Sequence, residues 1–156
     1  MEGVNIAEQF HVVNVIPPID ITGGKTGARF KMNNYKHATI IFQIGVSAAA
    51  FTKIFVKECN AASGGTANAI AYRLYAEETA AGDTLGAAEA VAATGRTPTA
   101  NDNTMYVIEV DARELTDGYN WIEVSATNGS NSVIASCVAI LSGSRQGGDL
   151  SATALV

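Results

Sequence analysis

A two-residue alternation of side-chain character, repeated in separate stretches, is the feature of this sequence that most limits its fold. In residues 51–59, Thr52, Ile54, Val56 and Glu58 fall on one side and Phe51, Lys53, Phe55, Lys57 and Cys59 on the other. A helical period of 3.6 would scatter the lysines around a cylinder, whereas an extended chain sends successive side chains to opposite faces. Residues 69–77 alternate again, with Ile70, Tyr72, Leu74 and Ala76 against Ala71, Arg73, Tyr75 and Glu77. This second strand is expected to pair with the first. In residues 119–127, Ile122, Val124 and Ala126 point inward and Trp121, Glu123 and Ser125 the other way.

Other segments add strands. Residues 10–16, FHVVNVI, are rich in β-branched side chains and run into Pro17 and Pro18, which reads as a strand or an extended arm. Residues 28–32 can form a short strand. Residues 37–45 are apolar on both parities except at Gln43, as in a central strand covered on both faces. Residues 60–68 form a turn, and 80–102 a long surface connection holding one short strand, since Gly82, Gly86, Gly95 and Pro98 leave no room for a long helix. Residues 104–110 are strand-like, and 111–119 make a helical turn or a wide turn. Residues 132–141 are expected to return beside the preceding strand. With turns about every eight to twelve residues and no long helix, the pattern implies an all-β, antiparallel two-sheet β-sandwich, jelly-roll-like, with a barrel as the alternative. The boundaries expected are an N-terminal arm with a glycine-rich loop at 1–27, a sandwich at 28–142 and a C-terminal arm at 143–156 that orders on a partner.

Composition narrows the function. The chain has 156 residues, enough for one domain with a real core. Only 16% are charged, against about 25% in typical soluble domains, so much of its surface is expected to meet copies or partners. A net charge of −5 gives no attraction to phosphate backbones, so no direct nucleic-acid partner is expected. No stretch reaches membrane-spanning length and the sequence MEGVNIAEQF is not a basic-then-apolar leader, so neither membrane attachment nor secretion is expected. Cys59 and Cys137 lie in apolar runs without a C-x-x-C pair and read as reduced core thiols.

Candidate chemistry is sparse. GGKTG resembles a phosphate loop, but its required first glycine falls at Ile19 and prolines replace the feeding strand, so Lys25 reads as a solvated loop charge. His11 and His37 lack neighbouring ligands in any metal spacing and read as structural or strand-edge histidines. Asp111, Glu114 and Asp117 cluster in a turn without the calcium-loop pattern. No nucleophile, base and orienting group occur together. Hence no catalytic, cofactor-binding or metal-ligating residue is assigned, no cofactor is expected, and the chain is not expected to be an enzyme. Tyr119 and Trp121 share a side of one strand, which supports an alternative function as a carbohydrate- or ligand-binding sandwich module, using them with the loop acids.

The segments YKHATIIFQIG (35–45), FVKEC (55–59), AYRLYAEETAAGDTLGA (71–87) and MYVIEVDARELTDGYNWIEVSAT (105–127) resemble small head proteins of tailed bacteriophages and prophages. The matching residues are Tyr35, His37, Ala38 and Thr39; Tyr72 and Arg73 with Gly82 and Asp83; the run 106–120; and Ile140, Leu141 and Ser142. The likeness covers residues 33–142. At Gly143, Ser144 and Arg145 the chain departs from the family's Pro-Arg-Tyr close and continues to Val156. The resemblance implies a capsid decoration, or cement, protein on the virion exterior, made in the host cytoplasm. It implies the major capsid protein as partner, self-association as a homotrimer at shell axes, and no catalytic residue to carry over. Residues 10–16 and 146–156 are the segments expected to make these contacts, with Gly23, Gly24 and Gly27 as a pivot.

Overall fold

The computed structural model describes residues 3–79, 82–145 and 153. A four-residue helix, α1 (Ile6–Gln9), buries none of its side chains and leads into eleven strands among the described residues. Strands β1 (His11–Asp20), β4 (His37–Ser47), β7 (Tyr72–Glu77), β8 (Glu89–Val91), β9 (Thr104–Asp111) and β11 (Val133–Ser142) form a six-stranded antiparallel sheet, in the order β1-β11-β4-β9-β7-β8. The second sheet holds β2 (Lys25–Thr26), β3 (Phe30–Lys31), β5 (Lys53–Cys59), β6 (Ala67–Ala69) and β10 (Trp121–Thr127). In it β2 and β3 both pair with β10, which pairs with β5, which pairs with β6. Two sheets with free edges make a sandwich, not the barrel that the same strands could have closed.

The alternation read from the sequence becomes the core. Ile40, Phe42, Leu74, Tyr106, Ile108, Cys137, Ala139 and Leu141 from the larger sheet meet Phe30, Ile54, Val56, Ile122 and Val124 from the smaller, all buried. Phe42 and Phe51 pack with ring centroids 5.9 Å apart. Each such aliphatic or aromatic side chain withdraws enough surface from water to contribute about 1.5–3 kcal/mol before ordering costs.

Four sequence expectations are corrected or resolved by the pairing. Residues 11–20 are an integral edge strand: β1 pairs with β11 from His11↔Leu141 to Asp20↔Ile134, and Val13, Val15 and Ile16 are buried. The sandwich therefore begins at His11 rather than at residue 28. Pro17 and Pro18 fit because they lie at the sheet edge, where the register shifts and a missing N–H breaks no ladder. Residues 69–77 are not one strand beside β5. Only β6 pairs there, Ile70 donates a last N–H to Val56 O at 3.0 Å, and β7 crosses to the other sheet beside β9. Parity sets which face is buried, and either sheet offers an inner face. Likewise β11 does not return beside β10 but inserts between β1 and β4. The 128–132 loop is long enough to cross, and Asp20 anchors its far side by accepting from Ser132 Oγ at 2.5 Å and Val133 N at 3.2 Å.

The segment 25–28 stitches the two sheets along one side, because Gly27 N donates to Val124 O and Ala28 N to Val15 O. A Cβ at Gly27 would meet Val15 Cγ1 at 2.6 Å, which explains glycine there. Residues 146–152 and 154–156, most of the expected C-terminal arm, lie outside the described residues. Thr153 is buried and its carbonyl accepts from Lys31 N. No helix among the described residues is long and apolar enough to cross a membrane.

Candidate functional site

The candidates read from the sequence do not converge. The phosphate-loop-like glycines spend their N–H groups on the chain itself, Gly23 on Gly129 O and Gly24 on Ile21 O, while Lys25 is exposed on β2. His11 stacks on Tyr35 with centroids 5.9 Å apart, and burial lowers its pKa. Asp111, Glu114 and Asp117 do not share a point. Glu114 accepts the Asp111 N–H at 3.0 Å, Asp111 faces His37 and Arg113, and Asp117 is exposed. Tyr119 and Trp121 are each half-buried, and the Lys31 ammonium lies 5.5 Å from the Trp121 ring centroid. Both cysteines are free and buried.

The structure does assemble one cluster that sequence spacing hid. His37 on β4 lies opposite Asp111 on β9, and Thr39 opposite Glu109, so register alone joins groups 70 to 74 positions apart. His37 Nδ1 is 2.8 Å from Asp111 Oδ1 and Nε2 is 2.6 Å from Glu109 Oε2, which also accepts from Thr39 Oγ1 at 2.8 Å. Burial alone would lower the His37 pKa, but the two carboxylate bonds and charges outweigh it and leave it raised. The His37 bond in turn holds the Asp111 carboxyl below its ordinary value. The carboxylates lie on opposite sides of the ring, and no metal-binding group occurs among the described residues. A carboxylate stands where a hydrolytic dyad would need a hydroxyl nucleophile. The arrangement is a double clasp between strands.

A second polar cluster locks the smaller sheet. Arg29 Nε donates to Glu123 Oε2 at 2.8 Å, Lys57 Nζ to Glu123 Oε1 at 3.2 Å, and Arg29 Nη1 to the carbonyls of Ala61 and Gly64. Burial raises the Glu123 carboxyl, but the Arg29 and Lys57 bonds prevail and its pKa is lowered. Glu123 and Ser125, read as pointing away from the inward Ile122, Val124 and Ala126, are thereby buried.

The two outer faces differ in kind. That of the smaller sheet carries Lys53, Lys57, Arg29 and Lys31. On the larger sheet, in contrast, one row runs Val138, Ile41, Val107, Tyr75 across four strands, with Ile140 and Val12 beside it. A solvated antiparallel face ordinarily alternates to polar residues. Here that row is half-buried, with Val12 50% exposed, while Thr39, Gln43, Glu109, Ser136 and the exposed Arg73 hold flanking positions on the same face. This apolar row, set between polar positions and bordered by the His37 clasp and by Arg73, is the candidate interaction site. The sequence signal for it was present in residues 37–45, where both parities are apolar.

No protein-family model matches the chain. No curated protein matches it. Among solved structures it is similar to the SPBc2 prophage-derived protein YomS, at 13% identity and a TM-score of 0.46, over 84% of this chain and 94% of that one. At that level the likeness assigns no role to any residue.

Proposed function

We propose that this chain is a non-enzymatic structural protein of a phage particle, a decoration protein that stabilises the head from outside through contacts with the major capsid protein and with its own copies. The observation that carries this reading is the uncovered apolar row across the outer face of the six-stranded sheet, on a sandwich whose polar clusters are spent on internal bonds. A rigid platform with one sticky side suits addition in many copies, where each contact needs about 1,200–2,000 Å² in total. The motif resemblance over residues 33–142 supplies the particle, and the low charge content suits a surface hidden by neighbours.

The test is to incubate the purified chain with assembled heads that lack it, and to measure bound copies after separation. Saturable binding at a fixed ratio to capsid subunits, lost with Val107→Lys, is the expected result. Failure to associate with any assembled particle overturns the role, however well the sandwich folds.

A further inference from the structure

The segment before β1 carries two apolar side chains, Val4 and Ile6, that nothing in its own fold covers. Val4 is 59% exposed and Ile6 47%, and α1 contacts little beyond the start of β1. The same chain therefore shows two uncovered apolar surfaces, a short arm and a sheet face. We infer that residues 3–10 of one copy dock across the outer face of the six-stranded sheet of a second copy, over Ile41, Val107, Val138 and Tyr75, in a head-to-tail contact. The inference rests on the many-copy reading above and names the surfaces that would serve it.

Size favours the arm over a simple face-to-face pairing. Six strands about 4.8 Å apart span roughly 24 Å, and four outward residues along the longer strands cover roughly 20 Å, so the face projects at most on the order of 500 Å², less where β7 and β8 are short. That falls short of the ~800 Å² per partner of a stable interface. An arm with one helical turn and an extended remainder reaches roughly 20 Å, about the width of the sheet, and adds its own area. Charge agrees: Glu8 is the one carboxylate of residues 3–10, and Arg73, exposed on the face and opposite Glu109 in register, makes no ion pair among the described residues. Made in one direction only, such a head-to-tail contact uses different patches on the two copies and closes a ring when its rotation closes.

The test is sedimentation of the full chain with two variants, the arm pair Val4→Lys with Ile6→Lys and the face change Val138→Lys, each checked for native circular dichroism. Wild type is expected to form a small closed ring. Each variant alone should weaken association by about a hundredfold or more, since two or more apolar contacts are lost per interface. Mixed together they should form a one-to-one heterodimer, because the intact arm of the face variant meets the intact face of the arm variant. If Val138→Lys does not fold, Tyr75→Glu on the same row replaces it. A monomeric wild type, association indifferent to the arm changes, or no rescue on mixing overturns the inference. Should the monomeric wild type still decorate heads, the proposed function stands and only the arm-to-face contact fails.

Discussion

His37 shows how one residue's role depends on partners distant in sequence. Its folded pKa is raised above the ordinary 6.5, so the stability it contributes is full below that value and is lost as the pH rises through the folded value. Asp111 has the opposite sign: lowered from 3.8, its contribution is present above that value and lost as the pH falls. The clasp is thus strongest at mildly acid pH. His37→Gln is expected to lower stability by about 1 kcal/mol there, a modest figure because the pair is partly exposed to solvent screening. The deficit should shrink at alkaline pH, as read from urea midpoints across the range; a deficit that stays flat with pH would mean the imidazolium charge plays no part. The sequence identified His37 as a strand residue and Asp111 as a turn acid, but nothing in it set the register that makes them neighbours. Glu109 reads in isolation as an ordinary outward carboxylate.

At the scale of elements, period two was sufficient to find the strands and insufficient to pair them. Residues 53–59 and 121–127 run as read, and their adjacency follows a register from Trp121↔Cys59 to Thr127↔Lys53. The departure of β7 from β6 was not legible, because Tyr72 and Leu74 bury equally well under either sheet. One side chain records the crossing. The Tyr72 hydroxyl, on the larger sheet, donates to Ile54 O on the smaller at 2.9 Å, and burial pushes its pKa up to about 12. Tyr72→Phe leaves the ring in place and removes only this inter-sheet bond. Thermal or urea unfolding should show a loss of about 1 kcal/mol, with an unchanged denaturant slope. No loss would mean that the Arg96 N–H, 3.1 Å from the same carbonyl, satisfies it alone.

Over the whole molecule, nearly every ladder joins segments far apart in the chain, the edge strand β1 with the last strand β11 being the extreme. Such a topology has few stable parts, since removing either sheet uncovers the inner face of the other. The thiols report on this. Cys137 sits in mid-strand between β1 and β4, Cys59 at the end of β5, both fully buried, and burial raises the pKa of each thiol. Since the thiolate is the reactive form, both are doubly protected in the native state. With a thiol reagent at pH 8, both should react in the folded protein at least about a thousandfold more slowly than in denaturant, because global opening is rare. Their rates should also converge, since the Tyr72 bond and the 25–28 stitch make the sheets open together. Early labelling of Cys59 with Cys137 still protected would instead show that the smaller sheet opens by itself, leaving the six-stranded sheet as the independent unit.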